Sequence, residues 1–561
     1  MSKSSNQVLT DEAKSSENFY QSDRILRHHL KKHLSGSALE YMSDKLNTLG
    51  KKAATQMDTL SLNADTYSPV LQKRSKLGET INEVEFHPAY WELMDIAARS
   101  EMFYVKYDEK LRQTFYRERH RMGFAAGQIY AMSELGVYCP LCMTDGAAHL
   151  VDQYAPDDLK DRLLPKLSAR EGDQLFTGAM FLTEKSGGSD VGRNLATAEK
   201  IEGDTYKLNG EKWFCSNVNA DVIMALARTG EIEDGTRGLS LFLVEKYLPD
   251  GRRNPMNIIR LKDKLGVRSM ATGEVEFEDT IGIRLGEENH GFKIMAEMIN
   301  ISRTYNSVAA LGGSRRALIE AWEYLSHRII FGKKATEHAL IRQKFHELAS
   351  LYVADFLLVW RAIRAMDAAE QGDETEQQLM RMLVPMAKWR SAEHSVYMVR
   401  ECMELMGGNG YIEDFVLPKL LRDVNVLPIW EGSSNIIVLD MLRAGQKSDG
   451  LELVVEKILE ASAKCDKLGM FKQNRLDPLL DIWNKLKHTD DCDVIEATAK
   501  PLFKELTHLY QMALMIEEKN DTSKKWINPA LKYMASIFGN TLKIERPISP
   551  EMLQGLIGWK Y

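Results

Sequence analysis

The chain has 561 residues, 44% hydrophobic and 27% charged, which fits several soluble globular domains and excludes a disordered, collagenous or coiled-coil chain. Its 73 Lys+Arg against 80 Asp+Glu give a net charge of −7, which argues against a globally basic nucleic-acid binder. Six cysteines are too few for a disulfide scaffold and suit a reducing compartment.

Residues 1–23 are polar and Ser-rich and read as a mobile tail. They hold no apolar signal core, and no run in the chain reaches the roughly 18 apolar residues of a membrane span. A soluble, cytoplasmic protein with no membrane partner is expected. Residues 24–175 carry a helical pattern. Cys139-Pro140-Leu141-Cys142 lies within it. No second pair or nearby His/Cys cluster completes four zinc ligands, so it reads as structural thiols and no metal site is expected.

From 176 to 285 the texture becomes β-rich. Asn209-Gly210 between Tyr206–Leu208 and Lys212–Phe214 reads as a hairpin turn. Val222–Leu226 is apolar throughout and reads as a buried strand, with further strands at Leu239–Val244 and Glu274–Phe277. The helical period returns over 286–443. There Leu340, Phe345, Leu348, Tyr352 and Phe356 fall on one stripe. A helix through Met380–Met406 stops at Gly407-Gly408, read as a left-handed cap. Residues 444–561 form a helical extension with equal numbers of Lys+Arg and Asp+Glu.

Four stretches could carry chemistry. In Thr183–Asp190 (TEKSGGSD), small residues admit a ligand to the main chain and Thr183 and Ser189 offer hydroxyls, although a simple turn explains them as well. Alternation puts Phe214 and Ser216 on one strand face, able to hold a planar ring and donate to its edge, or to serve as a core Phe and a surface Ser. From Glu404 to Asp423, Gly407, Gly408 and Gly410 suggest close backbone approach to a ligand or a helix. In Trp430-Glu431-Gly432-Ser433-Ser434-Asn435, Glu431 reads either as a first-turn acid complementing a helix dipole or as a general base tuned by partial burial.

In this order, on a helical–β–helical layout, the four stretches resemble the acyl-CoA dehydrogenase family. The resemblance runs from about residue 90 to 443, and Glu404–Asp423 fits the family's C-terminal motif throughout. Phe86–Tyr90, Leu261–Gly266 with Arg268-Ser269, and the long extension are similar to the AidB-type branch. The resemblance implies an α+β multidomain fold. It has an N-terminal α-helical domain, a middle β-barrel domain, a C-terminal α-helical bundle and a helical extension.

The resemblance also implies FAD. Met180, Leu182, Thr183 and Ser189 would line the flavin, Ser189 reaching substrate too. Phe214 takes the place of a flavin-packing Trp, and Ser216 that of a Thr near the reactive ring nitrogen. Arg328 would reach the FAD pyrophosphate of a neighbouring subunit. Glu404 stands where Gln is usual, Gly407 and Gly408 give backbone approach, and Ser433 and Asn435 match further cofactor positions. Glu431 matches the catalytic base; Ser302 occupies the alternative base position. Arg303, Gly432 and Arg443 match acyl-CoA-holding positions.

The expected function is FAD-dependent α,β-dehydrogenation of an acyl-CoA to a 2-enoyl-CoA. A homotetramer or dimer is expected, with electron-transferring flavoprotein as an electron acceptor. Two alternatives remain: an FAD-containing DNA-associating protein, disfavoured by the neutral extension, and an acyl-CoA-binding regulator with little turnover.

Overall fold

The computed structural model describes residues 17–464, 472–537 and 549–558. Two compact units interleave along the chain: one spans 55–115 and 133–305, the other holds the N-terminal segment to 54, 116–132 and everything from 306 on.

The first unit is built on a β-sheet. An N-terminal hairpin, β1 (Val70–Arg74) with β2 (Thr80–Glu85), lies inside the stretch read as helical; its turn contains Gly78 at φ 86°. The main sheet has seven strands: β3 (Gly178–Phe181), β4 (Thr197–Glu202), β5 (Thr205–Ser216), β6 (Val222–Arg228), β7 (Leu239–Glu245), β8 (Met256–Leu261) and β9 (Thr272–Leu285). β6 is buried at every residue, as its unbroken apolar run requires, with parallel β3 on one side and antiparallel β7 on the other. β7 continues to β9, and β9 to β5 and β8. Phe181, Tyr206, Leu208, Cys215, Phe242 and Phe277 pack as the core.

The sheet is not the expected barrel. Closure needs a continuous ladder around the circuit, yet β4 meets β6 at one residue pair, Thr197 with Arg228. Beyond it the Arg228 guanidinium occupies the seam and donates to the carbonyls of Gly192, Asn194 and Glu231 at 2.7, 3.0 and 2.8 Å. β3 and β8 each pair on one side only, so the sheet stays open.

Asn209-Gly210 is not a hairpin turn either. It lies inside the unbroken β5, at a register shift in the pairing with β9. Gly210 takes φ 129°, and a Cβ there would come within 2.8 Å of the Ala196 Cα; the glycine serves a bulge and a close strand approach. The chain reverses instead just after β4, where Gly203 has φ 55°.

The second unit is helical. A single turn, Phe19–Ser22, precedes α1 (Arg24–His33). The rest of the expected tail, residues 1–16, lies outside the described residues, but Phe19 and Asp23 are fully buried. The main helices are α2 (Arg119–Ala131), α3 (Gly291–His327, in this unit from Asn306), α4 (Ala339–Ala369), α5 (Glu374–Met406) and α6 (Ser434–Lys447). Phe345, Leu348, Tyr352 and Phe356 are buried as their stripe predicts, whereas Leu340 at the start of α4 is exposed. The extension contributes α7 (Gly450–Ala463), α8 (Cys492–Glu518) and α9 (Lys524–Ile537). α8 and α9 pack on α4, and α7 packs on α5. No described helix is long and apolar enough to cross a membrane.

His508 on α8 accepts no proton readily. Its Nε2 lies 2.9 Å from the Met534 carbonyl; burial first, then Arg390, His394 and Lys504 nearby, pull it from 6.5 to about 4, against the upward pull of the Met534 bond. The unfolded chain therefore binds this proton and the fold does not. Stability should be lost as pH falls from 6.5 to about 4, by roughly 3 kcal/mol from this group. Urea melts across that window check it: His508→Gln should flatten the acid limb.

Candidate functional site

In the β unit, the Thr183–Asp190 loop leaves β3 as a tight turn in which Glu184 and Gly187 exchange backbone bonds of 3.3 and 3.2 Å. Glu184 is the anchor. Its carboxylate is buried against the fully buried Lys212 of β5 at 2.6 Å and also accepts from the backbone N–H of Ala196. Burial pushes the Lys212 ammonium below its ordinary value, and Glu184 pulls it back up. The Thr183 carbonyl accepts from the Trp213 N–H at 2.9 Å. The loop and β5 are thereby locked together, with Ser189 exposed and Met180, Leu182 and Thr183 half-buried.

Cys215 points into the core, so its neighbours Phe214 and Ser216 face away from it. Phe214 is 56% exposed, unusual for an aromatic in mid-sheet. The Lys262 ammonium lies 4.6 Å from its ring centroid and pairs with Glu274 at 2.8 Å. The Ser216 hydroxyl lies 3.3 Å from that of Thr272. An exposed ring, a hydroxyl on the same face and a loop of small residues fit the edge and face of an isoalloxazine. Phe214→Ala removes the ring but opens no core cavity. It should weaken FAD binding about tenfold while shifting apoprotein stability by less than about 0.5 kcal/mol; flavin titration and thermal melts of the apoprotein read both.

Ser302 and Arg303, also in this unit, are buried on the long helix. The Cys142 thiol donates to the Ser302 hydroxyl at 3.2 Å. Cys139 and Cys142 lie on one helix, Tyr138–Tyr154.

In the helical unit, α5 stops at Gly407, whose φ 65° and ψ −141° lie outside the left-handed helical region expected of its cap, in space that only glycine enters readily. A Cβ built on Gly407 or Gly408 would meet nothing within 4 Å. Tyr324 ties this turn to Arg328: its hydroxyl accepts from Arg328 Nη1 and from Asn409 Nδ2, each at 2.9 Å. Arg328 leads into a two-residue hairpin, β10 (Ile329–Ile330) with β11 (Lys333–Lys334); Phe331 at its tip is 96% exposed. A cation beside a bare glycine turn fits a dinucleotide phosphate. Glu404, the charge in the usual glutamine position, is paired with Arg400 one turn earlier.

The Trp430–Asn435 turn holds the strained residue. Glu431 has φ 57° and Gly432 φ 98°. The buried Lys388 donates to the Gly432 carbonyl at 2.6 Å, and the Trp430 indole donates to Asn306. Ser433 is the N-cap position of α6 but makes no side-chain cap bond. Glu431 is half-buried, whereas Ser433, Asn435 and Arg443 are exposed. Lys388 and Glu184 are the supporting residues that motif reading passes over. Lys388 had one sequence signal: a lone lysine in the apolar helical run Leu383–Trp389.

Residues 6–174 match the adaptive response protein AidB N-terminal domain, 179–280 the acyl-CoA dehydrogenase middle domain and 289–445 the acyl-CoA dehydrogenase C-terminal domain. Acyl-CoA dehydrogenase family member 11 of Caenorhabditis elegans is 30% identical over 90% of this chain and 85% of its own. The chain belongs to the acyl-CoA dehydrogenase family. The putative acyl-CoA dehydrogenase AidB of Escherichia coli is 34% identical over 75% of this chain and 78% of its own, placing the chain close to that branch. The crystal structure of Caenorhabditis elegans ACDH-11 in complex with C11-CoA superposes with a TM-score of 0.85, at 30% identity, over 93% of this chain and 91% of that one. Family and fold make this an FAD-dependent oxidoreductase of the acyl-CoA dehydrogenase type.

Proposed function

We propose that the protein oxidises an acyl-CoA thioester at its α,β carbons to the 2-enoyl-CoA, with Glu431 as the general base. The observation that carries this reading is the backbone of Glu431. A non-glycine residue in the left-handed region costs on the order of 1–3 kcal/mol and persists where the surroundings over-determine it. Lys388 and Trp430 hold the turn on both sides of that residue.

The α-proton of a thioester is too weakly acidic for a freely solvated carboxylate. Burial of the base between bound flavin and acyl chain would raise its affinity for a proton, and the backbone N–H of Glu431 is the proposed donor to the thioester oxygen, where negative charge develops. Glu431 takes the α-proton and retains it on its carboxyl group. Bound FAD supplies the acceptor for the β-hydride. Phe214 and Ser216 are the proposed ring-holding residues, with Met180, Leu182, Thr183 and Ser189 alongside. Arg328, Glu404, Gly407, Gly408, Ser433 and Asn435 hold the rest of the cofactor. Arg303, Gly432 and Arg443, with Ser189, hold acyl-CoA.

The relative crystallised with C11-CoA makes a medium-length saturated acyl-CoA the first substrate to try. The purified flavoprotein is mixed anaerobically with acyl-CoAs of increasing chain length. Flavin bleaching with at least one, and 2-enoyl-CoA in the quenched mixture, is expected. No bleaching with any of them overturns the proposal.

A further inference from the structure

The extension reaches the base-bearing turn through an unbroken chain of polar contacts within the helical unit. Ser434, first residue of α6, donates its hydroxyl to Glu393 Oε1 at 3.0 Å. The same oxygen accepts from the Trp389 indole at 2.7 Å. Glu393 Oε2 accepts from Arg390 at 2.9 Å, and Arg390 Nη2 lies 2.6 Å from His394 Nε2. His394 Nδ1 lies 2.8 Å from Asp355 Oδ2. The other Asp355 oxygen accepts from Gln511 Nε2, on α8 of the extension, at 2.8 Å. Gln511 and Asp355 are buried. Lys500, also on α8, lies 3.9 Å from Glu393.

One proton arrangement satisfies the whole chain. A guanidinium only donates, so His394 Nε2 must accept from Arg390. Nδ1 then carries the imidazole proton and gives it to Asp355. Every donor faces an acceptor, and removing Gln511 leaves an oxygen of the buried Asp355 without that partner, so the links stiffen one another.

We propose that the C-terminal extension positions the Glu431 turn: Gln511, Asp355, His394, Arg390 and Glu393 are positioning residues that set the start of α6 and thereby the base three residues before Ser434. The role in catalysis rests on the reading of Glu431 as the base. Lys388 fixes the Gly432 carbonyl from α5, and Glu393 is five residues further along the same helix, so both ends of the turn are referred to α5.

The experiment uses the full-length flavoprotein and the variants Gln511→Leu, Ser434→Ala and their combination. Hydrogen exchange of peptides covering 429–436 should rise in Gln511→Leu, while peptides in the first half of α4 stay protected. The rate constant of flavin reduction at saturating acyl-CoA should fall about tenfold, a larger change than any loss of acyl-CoA affinity or FAD content through Gly432, Ser433 and Asn435 of the same turn. The double variant should be no slower than the slower single, because both cut one chain. Unchanged exchange at 429–436 in Gln511→Leu overturns the proposal, as does a slowing that multiplies in the double variant. Wild-type protein that no acyl-CoA reduces, with exchange still responding to Gln511→Leu, removes the base reading and leaves the coupling to the extension standing.

Discussion

Glu431→Gln will keep FAD and the fold but lose reduction by acyl-CoA, by about 10²–10⁴-fold or more, the usual contribution of a positioned general base. Glutamine preserves shape and hydrogen-bonding capacity, so flavin content and melting temperature should match the wild type. The loss should appear in the rate constant of flavin reduction measured anaerobically by stopped flow, with acyl-CoA affinity within about twofold, because only the proton transfer is removed. The backbone adds a second expectation. At φ 57° a glycine is unstrained, so Glu431→Gly should stabilise the protein by about 1 kcal/mol while abolishing reduction. A gain in melting temperature with a loss of turnover is what a residue held for chemistry predicts. If Glu431→Gly is instead destabilising, the side chain is structural and the base must be sought elsewhere.

What the sequence showed followed from local chemistry. β6 announced itself through an apolar run that only a strand buried on both faces tolerates, and α5 through its period and the glycine that ends it. The candidate residues sat in short motifs whose composition was unusual enough to compare with a family. What it concealed was non-local. Asn209-Gly210 has the composition of a hairpin turn, but Gly210 is there because Ala196 approaches its Cα, and that approach depends on how β4 lies on β5. Sheet closure was likewise unreadable: it turns on Arg228, which spends its donors on four backbone carbonyls at the seam where a barrel would need a ladder. The β1–β2 hairpin was lost in a helical neighbourhood because its strands are short and β1 is mostly exposed. The polar chain from Gln511 to Ser434 joins residues from 355 to 511, and no spacing rule connects them.

Asp23→Ala will be among the most destabilising single substitutions in the helical unit. Asp23 caps α1, accepting from the N–H groups of Ile25 and Leu26 at 3.0 Å each. Its carboxylate also accepts from Arg315 Nε of α3 at 3.0 Å. Both side chains are at most 1% exposed. Arg315 donates as well to the carbonyls of Ile557 and Gly558 near the chain's end, so one ion pair gathers the N-terminal segment, the central helix and the C-terminal turn. Removing the aspartate strands a guanidinium that cannot deprotonate and deletes a cap worth about 0.5–2 kcal/mol. Breaking a buried pair from one side costs about 3–5 kcal/mol, a large share of the roughly 5–15 kcal/mol that holds a domain together. Arg315→Met should cost less than Asp23→Ala, since the cap survives and no guanidinium is stranded, and Asp23→Asn should fall between them, since the amide oxygen keeps the cap but the guanidinium loses its carboxylate. That order, read from urea midpoints with m-values held constant, separates the stranded charge from the lost cap. An Asp23→Ala variant within about 1 kcal/mol of wild type would show instead that the buried charge finds water or another acceptor.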